Sequence, residues 1–376
     1  MVADILQVML QREMKYNSPH FVQSTPSFMS VMEDHRKWRS DICQWYYAVV
    51  DHLEIDREIV SFAIDYFDRF VTITATANTH TSERTDIAEY QLFALTCLYV
   101  ATKTHSRAIL KSVNELNGMN VGIKSFVSLS RNRFVAENIV EAERCLLFTL
   151  EWNINTVSPL SFVRYMLTLL DKFWKVPSHA KEVSLQALCE ISSYITELAI
   201  CMPEMTEMKT LSSTDTAATL IGCYVPSYVA FISILISMEL FTTEAIPNEI
   251  RTNFTEIMSS NSKNINDNHI CYFLHSENED IQHLMSILRK DFHPEVVIDQ
   301  AMLCDQHPIT IALNQGLIDL KHLSNNSIQG QDEDFVESQV ILSDPVRNLS
   351  NVSPDIVSGI EIVHTAFDSP NAVHEI

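Results

Sequence analysis

Glycine is almost missing from this chain. Only 6 glycines occur in 376 residues, and Gly118 and Gly122 are the only two before position 222, against a usual share of ~7%. A turn-rich β sandwich or a Gly-loop nucleotide fold needs more than that, whereas helices joined by short polar loops do not. Basic charge is also scarce: 26 Lys+Arg face 48 Asp+Glu, a net charge of −22. No run of five basic residues occurs, which argues against nucleic acid as a partner and removes a simple basic import signal. The 8 cysteines form no CxxC pair and read as buried thiols in a reducing compartment. The first residues, MVADILQVMLQREMKY, lack a basic region followed by an apolar core, so no secretory signal is expected. These absences leave an all-α protein, expected in the nucleus, the cytoplasm or both. At 46% hydrophobic residues it has ample material for cores.

What is present is helical periodicity from about Ile5 to Phe292. Trp38, Ile42, Trp45, Tyr46, Val49 and Leu53 mark one face of a helix starting near Lys37. Asp56 stands where an N-cap belongs, ahead of Ile59, Phe62, Ala63, Tyr66, Phe67 and Phe70. A polar loop is expected over 72–84. Ile87 to Ala101 repeats the pattern, a shorter apolar stretch lies near Ile109, and 134–150 forms a fifth helix. A second set follows at 159–173, 180–200, 226–240, 246–258 and 280–289. Two successive five-helix units suggest a duplicated module. Residues 324–376 hold nine acidic residues and one basic one, Arg347, and are expected to be a disordered acidic tail.

Several other features need weighing. The uncharged segment 217–238 has the length of a membrane span, but it contains Pro226, Ser227 and Ser233 without flanking anchors, and reads as a buried helix starting at Pro226. His269, Cys271 and His275 lack an obvious fourth ligand, so no metal is expected. No GxGxxG, GKS, HRD or DFG string occurs; the chain carries no kinase signature of its own, and no cofactor is expected. Ser353-Pro354 and Ser369-Pro370 are minimal proline-directed phosphorylation sites in the tail.

Charged residues inside the apolar helices carry the most information. Trp38-Arg39-Ser40-Asp41-Ile42-Cys43-Gln44-Trp45, Asp65-Tyr66-Phe67-Asp68-Arg69-Phe70, Gln91-Leu92 with Ala101-Thr102-Lys103, and Glu143 ahead of Leu146 to Ile154 stand in that order. Together they resemble the cyclin box. The segment Ile5 to Leu10 with Glu13 and Tyr16 is similar to the N-terminal helix of G1 or D-type cyclins, and Ser158 to Phe162 and Tyr224 to Ala230 resemble parts of a second cyclin fold. The resemblance implies tandem five-helix cyclin folds, divided as 1–33 (N-terminal helix and connector), 34–156 (first box), 157–323 (second cyclin-like domain) and 324–376 (tail).

It also implies roles. Arg39 and Asp68 would form an internal structural ion pair. Lys103 and Glu143 would reach the backbone of a cyclin-dependent kinase around its regulatory C helix, with Val100, Leu147, Trp152 and Ile154 as an apolar groove, in a heterodimer where the chain is a non-catalytic regulatory subunit. The docking patch through which some cyclins recruit kinase substrates maps to Trp38, Ile42, Trp45 and Gln91, with Asp41 in place of an apolar residue and Ala48 in place of an acidic one. After Lys103 the chain reads Thr104-His105-Ser106 where most of the family has an aromatic followed by acidic residues. Two other readings stand beside the kinase regulator: a transcription adaptor of the cyclin-like fold, which would need a basic face, and a membrane-anchored helical protein, which rests on 217–238 alone.

Overall fold

A computed structural model describes residues 2–16, 20–23, 26–77, 87–106, 122–175, 179–202, 208–211, 218–221, 225–263 and 279–319. The stretch near Ile109, the His269–Cys271–His275 group, Ser353, Ser369 and the acidic tail lie outside them. The described residues form thirteen helices and three four-residue strands, so the all-α class holds. They divide into two compact units. One contains Pro19–Asn155 and Ile200–Cys223; the other contains Met1–Ser18, Thr156–Ala199 and, among described residues, 225–263 and 279–319.

The first unit is built from α2 (Pro26–His52), α3 (Glu58–Ala77), α4 (Ile87–His105), α5 (Ile123–Leu129) and α6 (Ala136–Thr149). α3 is its centre: every residue from Ile59 to Thr72 is buried, because α2, α4 and α6 all pack on it, and a helix covered on all sides must be apolar or internally paired. Its start is set by Asp56, whose Oδ1 accepts from Glu58 N at 2.8 Å. The structure corrects two boundaries. α2 begins at Pro26, so residues 26–33 are helix rather than connector, with proline at the one position where its missing N–H costs nothing. α3 runs to Ala77 through the expected loop, where Thr74 and Thr76 return their hydroxyls to Phe70 O and Ile73 O.

Strands β1 (His20–Gln23), β2 (Met208–Leu211) and β3 (Ala218–Ile221) make an antiparallel sheet in the order β1-β3-β2, with His20 opposite Ile221 and Met208 also opposite Ile221. Periodicity did not announce this sheet. It also divides the uncharged segment 217–238: β3 takes 218–221 and α9 (Pro226–Glu239) begins at Pro226. No helix among the described residues is long and apolar enough to cross a membrane.

The second unit holds α1 (Val2–Tyr16), α7 (Pro159–Phe173), α8 (His179–Cys201, through Ala199), α9, α10 (Asn248–Lys263), α11 (Glu279–Asp291), α12 (Pro294–Ala301) and α13 (Pro308–Asn314). α9 is its central helix, packed by α7 and α11, and α1 lies against α7, α9 and α10. Four of these helices, α7, α9, α12 and α13, open on a proline. At α7 the preceding Ser158 caps the helix, its hydroxyl accepting from Ser161 N at 3.0 Å. Ser158→Ala is expected to lower the stability of this unit by about 1 kcal/mol, read as a lower urea midpoint with an unchanged m-value.

Candidate functional site

The first unit brings together the charged residues singled out in the sequence. Arg39 is wholly buried on α2, and its Nε and Nη2 donate to the Asp68 carboxylate at 3.1 and 3.0 Å. Its Nη1 donates to the carbonyls of Ile200 and Met202, at 2.5 and 3.2 Å. His35 also reaches Asp68, with Nε2 2.9 Å from Oδ1 and Nδ1 2.7 Å from the Tyr90 hydroxyl. An ionised carboxylate only accepts, so Nε2 carries the proton of the His35–Asp68 bond. Burial alone would raise the Asp68 pKa, but the Arg39 charge and the hydrogen bonds from His35 and Arg39 outweigh it and hold the carboxyl below its ordinary value. The sequence named Arg39 and Asp68 and missed His35 and Tyr90.

α4 and α6 pack together and present Lys103 and Glu143. Lys103 Nζ donates to Glu143 Oε1 at 2.8 Å and lies 5.6 Å from the Tyr99 ring centre. The Lys103 side chain is 48% exposed and that of Glu143 14%, so the pair itself contributes below about 1 kcal/mol to stability. The expected groove residues separate. Val100 and Leu147 are buried in the core, Ile154 is half-buried, and Trp152 is 61% exposed. The exposed apolar surface here therefore shares Trp152 with the expected groove and otherwise lies outside it. It is Phe148 in the last turn of α6, 65% exposed, with Trp152 in the turn that follows and Val140 two turns earlier on the helix. The Phe148 and Trp152 rings meet edge to face at 6.1 Å. Phe148 and Val140 were missed although their i, i+8 spacing was legible.

α6 ends in a Schellman motif: Trp152 N donates to Leu147 O at 2.8 Å and Glu151 N to Phe148 O at 3.0 Å. The position usually given to glycine is Glu151, with φ 51°, and Trp152 follows at φ 60°. Two successive non-glycine residues in the left-handed region are costly unless neighbours hold them. The neighbours are on α3, where Tyr66 Oη donates to Ile154 O at 2.5 Å and Arg69 Nη1 to Asn153 O at 2.8 Å.

The docking-patch residues lie on α2 and α4. Ile42 is buried, so it forms no part of a surface. Trp38 and Trp45 are half-buried, Trp38 set edge to face on Tyr90 at 5.1 Å and Trp45 tilted against Tyr46 at 5.6 Å. Gln91 is engaged by the Arg133 guanidinium. Asp41 beside them has its pKa raised by burial.

Residues 4–155 match the cyclin N-terminal domain family. Among curated proteins, Cyclin-D4-2 of Arabidopsis thaliana is 27% identical over 170 residues, covering 45% of this chain and 51% of that protein. The G1/S-specific cyclin-D2 of Gallus gallus is 25% identical over 155 residues, 40% of this chain and 46% of its own length. The chain carries a cyclin N-terminal domain. The chain spans about half the length of the curated relatives it matches, and the matched residues 4–155 contain all of α2 to α6 with the Arg39–Asp68 and Lys103–Glu143 pairs. A viral cyclin from herpesvirus saimiri, solved by X-ray, is 15% identical with a TM-score of 0.47, over 76% of this chain and 97% of that one.

Proposed function

We propose that this cyclin is a non-catalytic regulatory subunit that docks on a cyclin-dependent protein kinase and activates it, controlling cell-cycle progression in the nucleus or cytoplasm. The observation that carries this reading is the exposed Phe148–Trp152 aromatic pair beside the half-open Lys103–Glu143 pair, on the α4/α6 side of a cyclin N-terminal domain. An apolar centre excludes water while flanking charges fix register, the arrangement that grips a partner helix. Trp152 and Phe148 supply the centre and Lys103 and Glu143 the register. Val100 and Leu147 act beneath them, fixing α4 against α6. Activation follows if the cyclin binds the kinase with its C helix inward better than with it outward, a population shift that needs no catalytic atom from the cyclin. Kinase substrates would be recruited over Trp38, Trp45 and Gln91.

The test is a charge swap, Lys103→Glu with Glu143→Lys. The intramolecular pair is preserved in reverse, so the fold keeps its stability, while a partner meets the opposite register. Affinity for the kinase captured by the parent chain, measured by calorimetry, is expected to fall about ten- to thirtyfold, or ~1.4–2 kcal/mol, with kinase activity falling in step at limiting cyclin. Parent-like affinity in a swapped protein with unchanged melting temperature sinks the reading.

A further inference from the structure

The turn that carries Trp152 is held in a conformation its own sequence disfavours, and the groups that hold it lie away from the exposed face. Glu151 and Trp152 both have positive φ, and neither is a glycine or an asparagine. Outliers of this kind persist where the surroundings over-determine them, and they concentrate at binding sites. Here the surroundings are a run of hydrogen bonds onto residues 153 and 154. Arg69 Nη1, itself 3.2 Å from Asp65 Oδ2, donates to Asn153 O. One turn earlier on α3, Tyr66 Oη donates to Ile154 O.

His105 completes the arrangement. Its Nε2 lies 2.7 Å from Tyr66 Oη. A carbonyl only accepts and a tyrosine hydroxyl has one proton, so Tyr66 gives that proton to Ile154 O and accepts in turn from Nε2–H of His105. The imidazole is fixed by stacking on Phe62, with ring centres 3.7 Å apart and planes 4° from parallel. Phe62, Tyr66 and Arg69 thus follow one another along α3 and bear, directly or through His105, on the same short segment. His105 sits two residues beyond Lys103 on α4, which ties the charged anchor and the aromatic anchor to one support.

We propose that Tyr66, Arg69 and His105 are positioning residues that hold Trp152 in its outward pose, so that the indole is presented already ordered to a partner. The proposal rests on the kinase-docking reading of this face. An anchor ordered in the free protein loses less conformational freedom on binding, and Tyr66 contributes to affinity only through Trp152. Tyr66 is buried and touches no partner itself.

The test uses the full chain with Tyr66→Phe, which removes one hydroxyl and leaves the ring. Hydrogen exchange of the free protein is expected to be about tenfold or more faster at the amides of residues 152–154, with the central turns of α3 and α6 unchanged. Affinity for a purified cyclin-dependent kinase subunit is expected to fall about tenfold in the parent but less than about twofold in a Trp152→Ala background, itself weakened about thirtyfold. His105→Phe, which keeps a ring on Phe62 and removes the proton accepted by Tyr66, is the second variant and shifts both readouts in the same direction; it decides the matter if Tyr66→Phe fails to fold. Unchanged exchange at 152–154, or an equal affinity loss in both backgrounds, overturns the proposal. Trp152→Ala binding as tightly as the parent overturns the kinase reading and with it the presentation role, while accelerated exchange would still assign the turn to Tyr66.

Discussion

Asp68→Ala is expected to destabilise the first unit by about 3–5 kcal/mol, enough to leave much of it unfolded at 37 °C. Arg39 is wholly buried, and without Asp68 its charge would be left buried without its carboxylate counter-ion, beside the Ile200 and Met202 carbonyls. A surface pair would cost below about 1 kcal/mol, so the size of the loss separates the two cases. Asp68→Asn keeps the volume and one acceptor but not the charge, and should fall between parent and Asp68→Ala. The pH dependence follows from the direction of the Asp68 shift. Its folded pKa lies below the ordinary 3.8, so the unfolded chain takes up the proton first. The stabilisation is complete above about pH 4 and is lost as pH falls through the depressed folded value. Denaturant melts at pH 6 and pH 3 should show this acid loss in the parent, reduced in Asp68→Asn; an identical loss in both would remove Asp68 as its source.

The same site shows what the sequence could and could not reveal. Arg39 and Asp68 were legible through the resemblance of their surrounding strings to the cyclin box, which implies an internal pair at those two positions. His35 was not, since it sits in the polar run Glu33-Asp34-His35-Arg36, where a histidine reads as solvated, yet it is almost fully buried. The same run hid the first turns of α2. α7 and α9, each opening on a proline, were placed to within a residue or two, because that residue acts locally, whereas α12 and α13 also open on proline and were not placed. α6 carries two apolar stripes, and periodicity alone cannot say which faces inward; the packing of α4 sends Val100 and Leu147 to the core and leaves Phe148 outside. Four-residue strands offer too few positions for an alternation to stand out.

Glu13 has no such local signal, because its partner is 214 residues away. It lies on α1, buried, and accepts from Ser227 N at 2.6 Å and Ser227 Oγ at 2.5 Å. Ser227 is the second residue of α9, whose own N-cap residue, Val225, has no side chain able to cap. The cap is therefore supplied by another helix, and it couples α1 to the central helix of the second unit. Glu13→Ala is expected to cost about 2–4 kcal/mol, since a buried amide and a buried hydroxyl lose their acceptor together. Burial pushes the Glu13 pKa up to about 7 from 4.5, against the Ser227 hydrogen bonds that favour the anion. The sign is opposite to that at Asp68. Between pH 4.5 and 7 the folded chain keeps a proton that the unfolded chain has released, so the contribution of Glu13 to stability falls as pH rises through that window and is level above it. The second unit should be about 2 kcal/mol more stable at pH 5.5 than at pH 8 from this group. Glu13→Gln, neutral throughout and still able to accept from Ser227 N, should lose that slope. Hydrogen exchange at the first-turn amides of α9, followed at both pH values, reports this unit separately from the first. A slope that persists unchanged in Glu13→Gln would place the titrating group elsewhere.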